Sequence, residues 1–362
     1  MNASSSCRRA LFYLFGSALV QFAAIAQGED SPLPDNTEAL LREIDAAWAK
    51  RQDNIRSVIM TIEMDEIVKG RGEQLAEVPS PFRIAVPKDD RLSKIIIEYA
   101  YKDGKIGFTR SSDGVTVAMD PEKTRPQTIQ MTFDGETNAS LIEETDLPMG
   151  SIQRTQVQSR ETTVHVDLVA LGLWINPKKV VEETGWLISR MSIEESSLDF
   201  DGIKCRRIRI PRDPPHGHRW TSAVDVSSER DWLPVRWQTW FNGKLTIKLT
   251  VKYKTDTEGL PVVEQWAYTR YNEGGESELI RRAQVKQFDV NGDVDESRFS
   301  IQFPIGTHVV EEMNSGNRYF IQQQDGLVPL SARDYGRKAT ADQIDATGVR
   351  GARVIAIGLP LE

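Results

Sequence analysis

Few residues in this chain are placed to do chemistry. Of its four histidines, His216 and His218 have the spacing of a metal-binding pair, and Asp213 precedes them in the same loop. A catalytic zinc needs three ligands held rigidly and one open position. A Pro214-Pro215-His-Gly loop supplies no visible rigidity, so a solvated turn is preferred to a metal-dependent hydrolase, and no cofactor is expected. His165 and His308 sit in alternating or turn segments and read as packing residues. Asp289-Val-Asn291-Gly-Asp293-Val-Asp295 imitates the start of a calcium loop. Val294 stands where the sharp turn needs Gly and Ser300 where the bidentate Glu belongs, so a turn between strands is the better account. Cys205 lies between Lys204 and Arg206, which could activate its thiol, but inward packing on a strand leaves it inert. Asn138-Ala-Ser140 fits a glycosylation acceptor. The chain carries no G-x-S-x-G elbow, H-E-x-x-H helix, P-loop, C-x-x-C pair or strand-flanked G-x-G-x-x-G. No catalytic residue is nominated, and the protein is not expected to be an enzyme.

Charge narrows the partners. Acidic residues outnumber basic ones 53 to 45 in 362 residues, so the surface is not built to neutralise phosphates, and nucleic acid is excluded as a partner. Residues 1–26 have the form of an export signal, with Arg8 and Arg9 before an apolar stretch and Ala24-Ile25-Ala26 at the expected cleavage point. The expected product is exported, to the periplasm or beyond, and soluble after cleavage. Only Cys7 and Cys205 exist, so the mature chain has no internal disulfide and depends on core burial.

Residues 27–35 read as a flexible leader. Next, Leu41, Ile44, Trp48 and Ile55 recur at helical spacing, predicting one amphipathic helix over 37–54 with Asp35 and Glu38 as a capping box. From 57 onward the period becomes two. Turn pairs follow at Asp103-Gly104, Asp113-Gly114, Asp134-Gly135, Asp201-Gly202, Asn242-Gly243, Gly274-Gly275 and Asn291-Gly292, the signature of an antiparallel meander. The clearest hairpin is 233–253, where Leu233, Val235, Trp237 and Phe241 share a face with Leu245, Ile247, Leu249, Val251 and Tyr253. In 203–210 the apolar phase slips by one, predicting a bulge at Arg206-Arg207, and four basic residues make an ordinary charged surface or a headgroup patch. Short helices or turns are expected over 167–172 and 176–185, and 313–362 reads as a tail with one possible strand at 354–357.

The order of these pieces resembles the LolA/LolB lipoprotein-carrier superfamily, and above all its large exported bacterial relatives. The likeness covers about 36–312 and rests on Phe133-Asp-Gly135, Phe200-Asp-Gly-Ile-Lys-Cys205, Val224-Asp-Val-Ser-Ser-Glu-Arg-Asp-Trp-Leu-Pro-Val-Arg236, and the stretch from Val290 to Val309. It implies a mainly β (α+β) fold: an open antiparallel β half-barrel covered by an N-terminal helix and short lid helices. It also implies an apolar cavity that shelters acyl chains. The function expected is therefore a non-enzymatic exported binding protein for a lipid or lipoprotein acyl chain, lined by the nine apolar residues of the 233–253 hairpin. An envelope sensor that binds a protein with the same fold is the alternative, and peripheral membrane contact fits either.

Overall fold

The computed structural model describes residues 35–70, 87, 89–117, 120–143, 148–154, 169–175, 191–194, 198–211, 220–257, 259–313 and 316–334. The export signal, the leader, the 176–185 helix, the His216 loop and the 354–357 run lie outside these residues. Helix α1 spans Asp35–Asn54. Its stripe Leu41, Ile44 and Trp48 is buried, as its spacing requires, and Glu38 turns to Arg42 one helical turn on.

Strands follow in chain order: β1 (Ser57–Val68), β2 (Arg91–Lys102), β3 (Lys105–Val117), β4 (Asp120–Phe133), β5 (Thr137–Glu143) and β6 (Met149–Arg154). After the short helix α2 (Val169–Ile175) come β7 (Ser192–Ile193), β8 (Leu198–Phe200), β9 (Ile203–Pro211), β10 (Trp220–Ser227), β11 (Leu233–Phe241) and β12 (Lys244–Thr255). The last are β13 (Pro261–Tyr271), β14 (Ser277–Val290), β15 (His308–Met313), β16 (Gly316–Gln323) and β17 (Gly326–Leu330). Pairing runs β17-β16-β15-β6-β5-β4-β3-β2-β1-β14-β13-β12-β11-β10-β9, with β7 and β8 on the outer edge of β9. Among the described residues no rung joins the two ends, so the sheet is open and mainly β, with one apolar face covered by helices.

Turn chemistry sets this topology. Asp103-Gly104, Asp201-Gly202 and Asn242-Gly243 each place both residues at positive φ (49° and 86°, 53° and 78°, 50° and 76°), the geometry whose twist matches flanking antiparallel strands. Asp113-Gly114 behaves differently. It lies inside β3, where the β3–β4 register slips between Ser112 and Val115, so it is a bulge and not a hairpin turn. Further slips occur at Thr61/Ile62, Asp225/Val226, Thr239/Trp240, Lys252/Tyr253 and Arg270/Tyr271. Each extra residue bends a strand and increases local twist, which is how a long sheet curls. The bulge expected at Arg206-Arg207 is absent: the β9–β10 ladder is unbroken from Arg206 to Pro211. Cys205 and Ile208 are nevertheless both buried, in a strand whose residues 203–205 pair with β8 and 206–211 with β10.

The stretch after β14 crosses the outer face of the sheet as a strap. Val294 and Phe299 bury against Ala100, with Ile59 beside them. Small residues make the close approach possible. A Cβ on Gly107 would run into the Arg298 carbonyl, and one on Gly150 would lie 2.5 Å from the Phe303 ring. The strap delivers β15 to β6, which it joins in parallel from His308–Met149 to Glu312–Gln153. The boundary expected at 312 thus falls inside β15, and the sheet continues through β16 and β17. Polar residues at 316–318 and 322–325 hid those strands from the sequence pattern.

Gly107→Ala is expected to lower stability by about 2 kcal/mol or more, because the obstacle is backbone. Gly150→Ala should cost less, since a ring can shift. Urea unfolding followed by circular dichroism of the two variants checks the order.

Candidate functional site

Directly opposed residues of an antiparallel ladder point the same way, so the pairings trace the concave face row by row. One row carries Ile208, Val224, Trp237, Leu249, Tyr268, Arg281, Glu66 and Ser93. The next, toward α1's attachment, carries Val251, Trp266, Ala283, Met64 and Ile95. Further in the same direction Met60, Tyr99 and Phe108 are buried, while on β3 and β4 these rows carry the buried Ser112, Gln127 and Arg110, so the face is apolar along β1 and polar beside it.

Two covers fill it. From α1 come Leu41, Ile44 and Trp48, and from α2 come Leu171, Leu173 and Trp174, every one of them buried. The space left under α1, bounded by Leu41, Ile44, Trp48, Met191 and Ile208, measures about 10 Å³. That is the lower limit for one water, so among the described residues this space between the helix and the sheet is too small for a ligand. A larger hollow of about 150 Å³ lies beside the strap, walled by groups such as Glu98, Thr109, Gln130 and Arg298. It is polar and on the outer face.

Polar bonds lock the covers at one end of the trough. Trp48 Nε1 donates to the Trp232 carbonyl at 2.9 Å, and Trp232 Nε1 returns a bond to Glu43 at 3.1 Å. Arg51 Nε donates to the Trp174 carbonyl at 2.7 Å, and its Nη2 to the Pro261 carbonyl at 2.6 Å. The Trp174 indole donates to that same Pro261 oxygen at 2.7 Å. One buried guanidinium therefore ties α1, α2 and β13 together, with its Cζ 5.3 Å from the Trp174 ring. Burial pushes its pKa down from 12.5 to about 10, through lost hydration, so it remains charged at neutral pH. Asn291 fastens the end of α1, donating to the Asn54 carbonyl and accepting from Arg56 N–H.

The nine hairpin residues divide. Leu233, Val235, Trp237, Leu249, Val251 and Tyr253 are buried in the main core. Ile247 is half-buried toward the far end, and Phe241, also half-buried, lies 4.7 Å from the Trp220 ring. Leu245 departs from the expected shared face. Thr239 pairs with Ile247 but Trp240 with Leu245, so Thr246 is an extra residue that reverses the alternation, and its hydroxyl donates to the Thr239 carbonyl. Arg51, Trp174 and the Glu66, Arg110, Arg281 group escaped the sequence reading. Arg51 had left a signal: it continues the stripe Leu41, Ile44, Trp48, Ile55, a charge in phase with buried apolar residues.

Other candidates resolve into structure. Arg207 bonds to Asp225 at 2.7 Å and Arg209 pairs with Glu194, so two of the four cations in that strand serve intramolecular pairs. Asn138 is buried in β5, which excludes glycosylation of the folded chain. Asp295 caps a turn by accepting from Ser297 N–H, and among the described residues no three His, Cys, Asp or Glu side chains gather to hold a metal. No described helix is long and apolar enough to cross a membrane.

No family model matches the chain, and no curated protein does. Solved structures are similar in fold. A putative outer membrane lipoprotein-sorting protein domain from Vibrio parahaemolyticus matches at 13% identity and a TM-score of 0.40, over 71% of this chain and 94% of that one. A DUF1329 family protein from Desulfovibrio piger matches at 12% identity and 0.41, over 74% and 98%. A LolA superfamily protein from Nitrosomonas europaea matches at 10% and 0.36, over 71% and 97%.

Cys205 offers a direct check of the packing. Burial, with Asp225 nearby, raises its thiol from 9.0 to about 11. In the folded protein it should resist iodoacetamide at pH 8 and react once urea unfolds the chain. Between pH 9 and 11 the unfolded chain loses a proton that the folded chain keeps, so this group makes stability fall as pH rises through that window. Cys205→Ala should flatten that part of the stability profile.

Proposed function

We propose that this protein is a non-enzymatic binding protein that takes up an apolar ligand on the concave face of its half-barrel, by displacing α2. The observation that carries this is the Arg51 lock. A residue that only filled space here would be apolar, because a buried charge has to be desolvated. Arg51 instead holds two covers by bonds to backbone carbonyls, which break and re-form without any repacking of the sheet.

Magnitudes identify the cover that moves. Uncovering Leu171, Leu173 and Trp174 costs about 5–9 kcal/mol at about 1.5–3 kcal/mol for each apolar side chain. An acyl chain of about 14 methylenes recovers about 11 kcal/mol at about 0.8 each. Releasing α1 as well raises the cost to about 10–18 kcal/mol, which offsets nearly all of that return or exceeds it. Helix α2 is accordingly the lid, and α1, fastened at Trp48, Arg51 and Asn54, is the fixed wall. A lipid or the acyl chain of a lipoprotein suits the apolar chemistry of the face that α2 covers, and the export signal read at 1–26 supports a role in the periplasm or outside the cell. One observation favours a second reading, an envelope interaction module: among the described residues β17 is an edge strand, with Leu327 and Val328 exposed.

Arg51→Leu tests the lock. It removes donors from the closed state, so the open state gains population and apparent affinity for a fluorescent fatty acid should rise about 10- to 100-fold, as expected for loss of a charge-assisted bond. Mass spectrometry of organic extracts should show more lipid carried by the variant than by the parent chain. A parent chain that neither carries lipid nor binds the probe, with a variant that behaves identically, would end this reading.

A further inference from the structure

The concave face is not apolar throughout. At the end remote from the Trp232 and Pro261 bonds, Arg281 Nε lies 2.6 Å from Glu66 Oε2, and Arg110 Nη2 lies 3.8 Å from Glu66 Oε1. The guanidiniums come from β14 and β3, on either side of the carboxylate of β1, and their residues are 4% and 1% exposed. The Arg281 Cζ sits 5.9 Å from the Tyr268 ring. Ser93, Ser112 and Gln127 complete a polar patch on the same face, all of them buried.

A folded core gains little from such a group. Well-packed apolar residues of equal volume are commonly as stabilising as a buried ion triad. The patch also occupies a definite place relative to the apolar rows. Arg281 shares a row with Leu249 and Trp237, and from Glu66 the β1 side chains run Met64, Ile62, Met60, Val58 toward the locked end. At 3.3–3.4 Å per residue that path is about 27 Å long, apolar after its first step. Around Glu66 the trough therefore offers guanidinium donors, with Arg110 reaching back from the row of Ile62 and Ile97, and along β1 it offers hydrocarbon.

We propose that the ligand is an anionic amphiphile whose carboxylate or phosphate head lies between Arg281 and Arg110, with its chain directed along β1 toward Val58. This rests on the concave face being the ligand site and adds the charge and orientation of the ligand. Two cations and one carboxylate among the described residues of the patch make it favour an anion. The incoming head needs no vacant N–H, because a guanidinium presents five donors in a plane and shares them among several acceptors. Glu66 occupies the position of the head, as an internal stand-in that holds the two cations apart until ligand arrives.

The test is displacement of a fluorescent fatty acid from the whole chain by four amphiphiles of equal chain length: palmitate, hexadecyl phosphate, monopalmitoyl glycerol and hexadecyltrimethylammonium. Both anions should compete about tenfold or more better than the glycerol ester, the scale of one charge-assisted contact, and the cation should be weakest. The ratio of palmitate to hexadecyl phosphate tells a carboxylate source from a phosphate source. Arg281→Met should erase the anion advantage and leave the glycerol ester unchanged. Glu66→Gln removes the stand-in, so it should enlarge the advantage, and it remains informative if the arginine variant fails to fold. Equal competition by the glycerol ester and the anions, or an anion advantage indifferent to Glu66→Gln, overturns the headgroup site and leaves the apolar-ligand reading intact. Failure of every amphiphile to compete overturns both.

Discussion

A sheet that curls without closing leaves one apolar face with no second sheet to meet it, and most of this structure follows from that constraint. Strands of a closed barrel fill their interior from all sides. Here, among the described residues, the pairing ends at β17 on one side and at β7 and β8 on the other, so the inner face has to be covered from outside the sheet. Helix α1 supplies a stripe of the right width, and α2 supplies a buried Leu-Gly-Leu-Trp turn. The bulges that curl the sheet and the helices that cover it answer the same geometric problem.

The two covers are held unequally. Burial of Leu41, Ile44 and Trp48 is reinforced by polar bonds near the middle and end of α1, and its chain runs straight on into β1. Helix α2 has seven residues, and its described polar ties are the carbonyl and indole of Trp174. A short helix is marginal without tertiary contacts, so α2 depends on what it touches far more than α1 does. Unequal anchoring of this kind gives a cover a movable part and a fixed part. The opposite end of the trough, where Arg281 and Arg110 meet Glu66, is separated from the lock by the length of β1, so release of α2 need not disturb it.

Much of this architecture could be read from residue order. The stripe at Leu41, Ile44 and Trp48 gave α1, and Asn-Gly and Asp-Gly pairs gave the hairpins, because each is a local signal with one physical meaning. What escaped the reading depends on partners distant in sequence. Leu245 faces away because Thr246 is an extra residue against β11, and Asp113-Gly114 bulges inside a strand whose neighbour decides its register. The strands at 316–323 and 326–330 were hidden by polar composition, since part of that sheet extension is exposed and needs no strict alternation. The charges that matter, Arg51, Arg110 and Arg281, look like any other cation until folding buries them.

The parallel pairing of β6 with β15 has a consequence for how the chain is made. Met149 must wait for His308, so this rung cannot form until more than 150 further residues have been synthesised and the strap has crossed the sheet. Until then β6 is an open edge, with unsatisfied backbone groups and an exposed Met149. Contacts of such sequence separation are slow to form. A folding chain therefore passes through a stage in which it presents a sticky margin, and that margin closes only when the C-terminal strands arrive.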